Sequence, residues 1–278
     1  MAKKNKKVGG ALPNSQQQLL LSKDSSFLMQ EDYKTLRTNI AFSFPEKGCK
    51  CIAVSSASQG EGKSTNALNL AISFAELGRR VLIVDCDLRL PTVELKLKMK
   101  SGKGLSELLV GECMLDDAIH YNDEFGIYVM GPGTLPADPT RLIYSKSMGN
   151  VIAALRQHFD YVVFDCPPIN VVVDAALLAE HVDGYLLVVR HGVTEHKAIA
   201  QTLRQLEQVN ANILGFIYTN APATEHKYYY KHGYGYGYGH SYSYSYGHKK
   251  RQRQAEQAEQ AEQKEQTEQK EQTEQAGQ

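Results

Sequence analysis

Hydrophobic positions in this chain gather into short unbroken runs separated by amphipathic stretches. Val81-Leu82-Ile83-Val84, Cys51-Ile52-Ala53-Val54-Ser55, Ile127-Tyr128-Val129-Met130 and Tyr161-Val162-Val163-Phe164 carry almost no polar alternation. The stretches Tyr185 to Arg190 and Ile213 to Tyr218 have the same character. Runs this short predict strands buried on both faces, as in a parallel sheet with helices on either side. Between them the apolar residues follow a helical period. Tyr33, Leu36, Ile40 and Phe44 mark a helix over residues 26–44. Ala67, Leu70, Ala71 and Phe74 mark one from about Lys63, with Gly78 as its natural stop. Further helices are expected near Arg141 to Phe159, after Asp174, and near Glu195 to Val209. Strand alternating with helix predicts a doubly wound, mostly parallel α/β sheet. Such sheets bind ligands at the carboxyl ends of their strands, so chemistry is to be sought just after each run.

Composition changes abruptly along the chain. Residues from about Gly48 to Asn220 are rich in Val, Ile, Leu and Ala, whereas 221–278 contain no Val, Ile, Leu, Phe or Met. The latter cannot bury enough apolar surface to offset chain entropy, which predicts a disordered C-terminal tail. The expected organisation is a basic flexible arm over 1–25, one domain over 26–220, a Tyr/Gly/Ser/His-rich tail over 221–248 and a Gln/Glu-rich end over 249–278. No run approaches the roughly 18–20 apolar residues of a membrane span, and the basic start MAKKNKKVGG lacks the apolar core of a secretory signal. The 31 Lys+Arg balance 31 Asp+Glu, which gives no case for a nucleic-acid partner. Lys3, Lys4, Lys6 and Lys7 read either as a solubilising arm or as weakly attracted to an anionic membrane surface. Five cysteines, mostly within strand patterns, indicate a reducing, cytosolic compartment rather than a disulfide framework.

The first strand runs into Ala57-Ser58-Gln59-Gly60-Glu61-Gly62-Lys63-Ser64-Thr65. This matches the phosphate loop G-x-x-x-x-G-K-[ST], with Ala57 at the first glycine. Two glycines let several N–H groups turn to one point, and the following helix adds its positive end. Lys63 supplies a mobile charge for phosphates, and the Ser64 hydroxyl can ligate Mg²⁺. The second strand ends in Asp85-Cys86-Asp87-Leu88-Arg89, and a later one ends in Asp165-Cys166-Pro167-Pro168. Carboxylates closing buried strands are costly without a compensating cation. Beside a phosphate loop, Mg²⁺ is that cation, with Ser64, Asp87 and Asp165 as its candidate ligands. A nucleotide is the expected ligand.

With VLIVDCDLR, VVFDCPP and a tyrosine-rich tail, the chain resembles the bacterial tyrosine kinases of exopolysaccharide and capsule assembly over roughly residues 26–248. The resemblance implies a P-loop NTPase fold with ATP as its nucleotide. It makes Lys63, Asp85, Asp87 and Arg89 catalytic, with Asp85 the expected base, and places Mg²⁺ on Ser64, Asp87 and Asp165. It also implies subunit contacts through an ExxRxxR motif, present here as Glu31, Lys34 and Arg37 with lysine for the middle arginine. A lysine cannot reproduce a bidentate guanidinium pair. Tyr228, Tyr229, Tyr230, Tyr234, Tyr236, Tyr238, Tyr242, Tyr244 and Tyr246 alternate with small residues and are the expected phospho-acceptors. Implied partners are further copies of the chain in a ring-like homo-oligomer, a transmembrane adaptor of the polysaccharide co-polymerase type as activator, and a protein-tyrosine phosphatase. The implied location is cytoplasmic, at the inner face of the membrane. The competing reading is a MinD/ParA-like ATPase without kinase activity. That group carries an extra lysine where this loop has Ser58, and it has no tyrosine tail.

Overall fold

The computed structural model describes residues 19–44 and 46–222. The N-terminal lysines, the tyrosine cluster and the Gln/Glu-rich end lie outside these residues. A helix, α1 (Phe27–Ser43), precedes the sheet; Ser26 caps it by accepting from the Met29 N–H. Then follow β1 (Lys50–Ser56), α2 (Lys63–Ala75), β2 (Val81–Asp85), α3 (Val93–Lys96), α4 (Leu105–Val110), α5 (Leu115–Ala118), β3 (His120–Asn122) and β4 (Ile127–Met130). The chain continues through α6 (Pro139–Ile143), α7 (Lys146–His158), β5 (Tyr161–Asp165), β6 (Gly184–Arg190), α8 (His196–Gln208) and β7 (Ile213–Thr219). The described residues form one seven-stranded sheet in the order β3-β4-β2-β5-β1-β6-β7.

Alternate residues of each central strand enter opposite cores. Cys51, Ala53, Leu82, Val84, Val162 and Phe164 face the layer containing α7 and α8. Ile52, Val54, Val81, Ile83 and Val163 face the layer containing α1 and α2. This two-sided burial is why the central strands read as unbroken apolar runs.

Four features depart from the expectations above. Leu20 and Leu21, placed in a flexible arm, are buried in the α1/α2 core. The helix expected near Arg141 to Phe159 is two helices, because Ser145 takes an extended conformation and starts α7 afresh. The helix expected after Asp174 is a single 3₁₀ turn, Ala176–Leu178, before the chain re-enters the sheet at Gly184. The edge strand β3 pairs antiparallel with β4, and the short elements α3, α4 and α5 have no clear sequence period.

The loops beyond β4 and before α4 are tied by one carboxylate. Glu107 accepts from the N–H groups of Thr134 (2.8 Å) and Gly104 (3.0 Å). Burial raises its pKa, but the hydrogen bonds from Thr134 and Gly104 outweigh that and hold it at about 2. The ordinary value is 4.5, so this stabilisation is complete above pH 4.5 and is lost as pH falls towards 2. Glu107→Gln is therefore expected to lower the melting temperature at pH 7, and the gap to wild type should close across that acidic window. A gap that stays constant with pH would show that the carboxylate charge plays no part.

Candidate active site

Strand order brings the motifs together. β5 lies between β2 and β1, with Asp85 opposite Asp165 in one ladder and Val54 opposite Asp165 in the other. The loop leaving β1 therefore faces two acid-terminated strands. The crossing is secured by the Cys166 N–H on the Val54 carbonyl (3.0 Å), the Cys86 N–H on the Asp165 carbonyl (2.9 Å) and the Ser55 hydroxyl on the Pro167 carbonyl (2.7 Å).

Gly60 and Gly62 turn the phosphate loop with φ of +77° and +100°, the left-handed region that glycine enters without a steric penalty. A Cβ on Gly62 would also approach Asn66 Nδ2 to 3.2 Å. Gly62 brings no side chain to cap α2, so the first N–H groups of that helix are left for an anion. The rest of the loop is held from outside. The Arg190 guanidinium donates to the Gly60 carbonyl (2.9 Å), and the Thr194 hydroxyl donates to Glu61 Oε1 (2.8 Å). Glu61 Oε2 accepts from the Ser58 N–H (3.1 Å), and the Ser56 hydroxyl donates to the Ser58 carbonyl (2.7 Å). Glu61 is thus a buried fastening of the loop, while Gln59 and Gly60 stand exposed at its tip. Lys63 is buried, and Ser64 and Thr65 are half-buried at the start of α2.

Three acids at the strand ends differ in what their oxygens do. Asp85 is fully buried; Oδ1 accepts from the Asp87 N–H (3.1 Å), and Oδ2 accepts from the N–H groups of Thr92 and Val93 (3.0 Å each). Burial and the neighbouring Asp165 push its pKa well above the carboxylate range. Asp87 uses Oδ1 to accept from the Leu90 N–H (3.0 Å). Burial raises its pKa, and the Leu90 hydrogen bond and Lys63 oppose the rise. Asp165 is fully buried with neither carboxylate oxygen partnered among the described residues. Burial and Asp87 raise its pKa to about 6 against the opposing influence of Lys63, Ser64 and Lys96.

An orphaned buried carboxylate beside a lysine and a serine fits Mg²⁺. Among the described residues no cluster of three or more His, Cys, Asp or Glu could cage a metal. That suits Mg²⁺, which takes one or two carboxylates and completes its octahedron with water and substrate phosphates.

The other expected site residues are placed differently. Arg89 Nε donates to Asp174 Oδ2 (2.7 Å), and its Nη2 donates to Thr140 Oγ (2.8 Å) and Asp174 Oδ1 (3.3 Å). It braces the Asp87 turn against the buried Asp174. In α1, Glu31 pairs with Lys34 within the helix (2.8 Å). Arg37 binds the Ser73 carbonyl and Glu76 of α2, so its guanidinium is engaged inside its own chain. Arg190, Thr194, Asp174, Thr140 and Lys96 escape a motif reading because each lies far from the loop in sequence or outside any pattern. Asp174, an acid within an apolar stretch, is the exception that left a trace.

A family model described as an AAA domain matches residues 49–215. Tyrosine-protein kinase YwqD of Bacillus subtilis is 34% identical over 214 residues, 77% of this chain and 90% of that protein. Tyrosine-protein kinase CpsD of Streptococcus agalactiae serotype III is 35% identical over 189 residues, covering 68% of this chain and 81% of that one. Among solved structures, the kinase domain of Escherichia coli tyrosine kinase ETK superimposes with a TM-score of 0.66 at 27% identity, covering 79% of this chain and 87% of that one. The septum site-determining protein MinD of Pyrococcus horikoshii, complexed with Mg-ADP, has a TM-score of 0.53 at 26% identity, covering 61% and 70% respectively.

Removing the orphaned charge should separate stability from ligand response. Asp165→Asn is expected to raise the melting temperature of the ligand-free protein, because an unpaired buried carboxylate is relieved. The same change should abolish the Mg²⁺-dependent part of the stabilisation by ADP. A lower melting temperature with the Mg²⁺ dependence intact would refute this.

Proposed function

The chain belongs to the bacterial tyrosine kinases, and on that premise we propose that it phosphorylates its own C-terminal tyrosine cluster from Mg-ATP, between copies of the chain. The observation that supports the site most directly is Asp165, buried with no hydrogen-bond partner among the described residues and subject to the influence of Lys63 and Ser64. Phosphoryl transfer requires positioning and charge neutralisation more than covalent help. Lys63 and the N–H groups at the start of α2 bind and orient the β- and γ-phosphates. Ser64 and Asp165 would hold Mg²⁺, with Asp87 beside them; when bound, the ion neutralises charge on the phosphate oxygens.

A tyrosine hydroxyl has a pKa of about 10, so a carboxylate that takes its proton assists attack. We assign that role to Asp87 rather than Asp85. Asp85 has both oxygens engaged by three backbone N–H groups, whereas Asp87, less deeply buried, accepts from the turn at Leu90 and Arg89 and faces Lys63. The phenolic oxygen bonds to the γ-phosphorus, the bond to the β–γ bridging oxygen breaks, ADP leaves, and the proton passes to Asp87.

The acceptors Tyr228 to Tyr246 lie outside the described residues, but their root does not. β7 ends at Thr219, parallel to β6 and on the same edge of the sheet as the phosphate loop. Tyr238 lies 18 residues beyond Asn220, and a random coil of that length would span roughly 20–25 Å, enough to enter a neighbour's site. Glu31 and Lys34, both partly exposed on α1, are available to hold that neighbour in a ring-like homo-oligomer. Each phosphate adds about −1.5 to −2 charges, so a modified tail would be repelled from the acidic site. In this reading a transmembrane adaptor activates the kinase at the inner face of the membrane. A tyrosine phosphatase resets it, and the cycle regulates capsule or exopolysaccharide polymerisation and export. Among the described residues no helix is long and apolar enough to cross a membrane, so the adaptor would supply the membrane segment.

Mixing a Lys63→Met chain that keeps its tail with an active chain cut before residue 222 tests the transfer. Labelled tyrosine on the inactive chain is expected. A clean tail there, while wild type labels itself, would mean transfer within one chain. For the base, Asp87→Asn is expected to slow labelling by about 10²–10⁴ with an unchanged melting temperature. Asp85→Asn should lower the melting temperature, since three N–H donors lose a carboxylate. Normal labelling by Asp87→Asn would return the role to Asp85.

A further inference from the structure

Between α1 and the phosphate loop lies a buried polar network that the reaction as described does not use. Tyr33, in the middle of α1, donates its hydroxyl to Asn66 Oδ1 (2.8 Å) and accepts from Asn69 Nδ2 (3.0 Å). Asn66 Nδ2 donates to the Gly62 carbonyl (2.8 Å), which also receives the Asn66 N–H (3.0 Å). Asn69 Oδ1 accepts from the Leu21 N–H (2.8 Å), and its Nδ2 also donates to the Leu19 carbonyl (2.9 Å). Both asparagines are buried, and their oxygens and nitrogens are all partnered. Turning Asn66 over would set its oxygen against the Gly62 carbonyl, and turning Asn69 over would set its NH₂ against the Leu21 N–H, so the network has one arrangement.

The end of this chain of bonds is the peptide that matters for the phosphate. Gly62 is left-handed and offers no side-chain cap, so its own conformation does little to fix the orientation of its carbonyl. Two donors from Asn66 fix it instead. In a planar trans peptide the N–H of the next residue points opposite to the carbonyl. Holding the Gly62 carbonyl along α2 therefore holds the Lys63 N–H outward, towards the mouth of the loop. We propose that Tyr33 is a positioning residue of the nucleotide site: its hydroxyl, acting through Asn66, sets the affinity of the phosphate loop. The inference rests on reading that loop as the nucleotide site. Burial pushes the Tyr33 phenol up to about 12, with Asn69 opposing and Asp32 adding to the rise, so the hydroxyl remains a donor across the physiological range. An event that lifts α1, or withdraws residues 19–21, would release Asn66 and loosen Gly62. Coupling here needs no contact between α1 and nucleotide, only a fully satisfied set of hydrogen bonds.

Isothermal titration of the full chain with Mg-ADP, alongside thermal melts, tests this with Tyr33→Phe, Asn66→Ala, the double variant and Ser73→Ala. Ser73 accepts nothing from the loop; its hydroxyl donates to the Tyr33 carbonyl (3.2 Å), so it samples α1 docking alone. Tyr33→Phe and Asn66→Ala should each weaken binding roughly five- to twentyfold. The double variant should be no weaker than Asn66→Ala, and Ser73→Ala should melt earlier with its affinity unchanged. An unchanged affinity in Tyr33→Phe, additive losses in the double variant, or an equal loss in Ser73→Ala would each overturn the proposal. Should Asn66→Ala fail to fold, the comparison of Tyr33→Phe with Ser73→Ala still decides. A wild type that does not bind Mg-ADP would instead refute the nucleotide site itself.

Discussion

A carboxylate with no partner sits where three strands meet, and the site is arranged around it. Asp165 ends β5 between β1 and β2, shielded from water, with both oxygens unanswered among the described residues. A buried charge of this kind is tolerable only if its compensation arrives from outside the fold. Lys63 supplies part of it from the loop beyond β1, and Lys96, half-buried beyond β2, adds a second cation to the field. The cation and phosphates that complete the site would therefore be stabilised partly by relieving a cost already present in the free protein.

The other acids near the site show the opposite condition. Asp85 holds the turn after β2 through three backbone N–H groups; Glu61 fastens the phosphate loop to Ser58 and Thr194; Asp174 anchors Arg89 and Thr140. These carboxylates are satisfied by protein and so act as framework. Asp87 lies between the two conditions, with turn hydrogen bonds from Leu90 and Arg89 and a neighbouring lysine. Proximity to the loop does not separate the reactive groups from the scaffolding ones. The number of donors their oxygens accept from the protein does, because a carboxylate without protein donors has the most lone pairs to offer a cation.

The N-terminal helix is part of this framework rather than an appendage. Arg37 grips α2 at Ser73 and Glu76, and Tyr33 reaches the loop's last glycine through Asn66. A surface used to contact a neighbouring copy would thus share its helix with a group that bears on the loop. Assembly and nucleotide binding would then act on one set of hydrogen bonds.

The sequence alone was enough for the architecture and the loop. Short all-apolar runs imply strands covered on both sides, and a left-handed glycine before Lys-Ser implies a phosphate cradle, because both follow from local sterics and periodicity. The acids ending β2 and β5 were legible for the same reason, as charges that close buried strands. What each acid does was not legible. Asp85 and Asp165 look alike as strand-terminal carboxylates, yet one accepts three backbone N–H groups and the other has no hydrogen-bond partner among the described residues, and that depends on which N–H groups the next turn presents. Arg89 and Arg37 read as functional charges, but partners 85 and 36 residues away claim them. Leu20 and Leu21 read as part of a flexible arm because two apolar residues make no period, and only a core brought together from α1 and α2 buries them. Local pattern determines which elements form; the matching of donors to acceptors across distant segments, which exists only after folding, determines what the charged groups are left free to do.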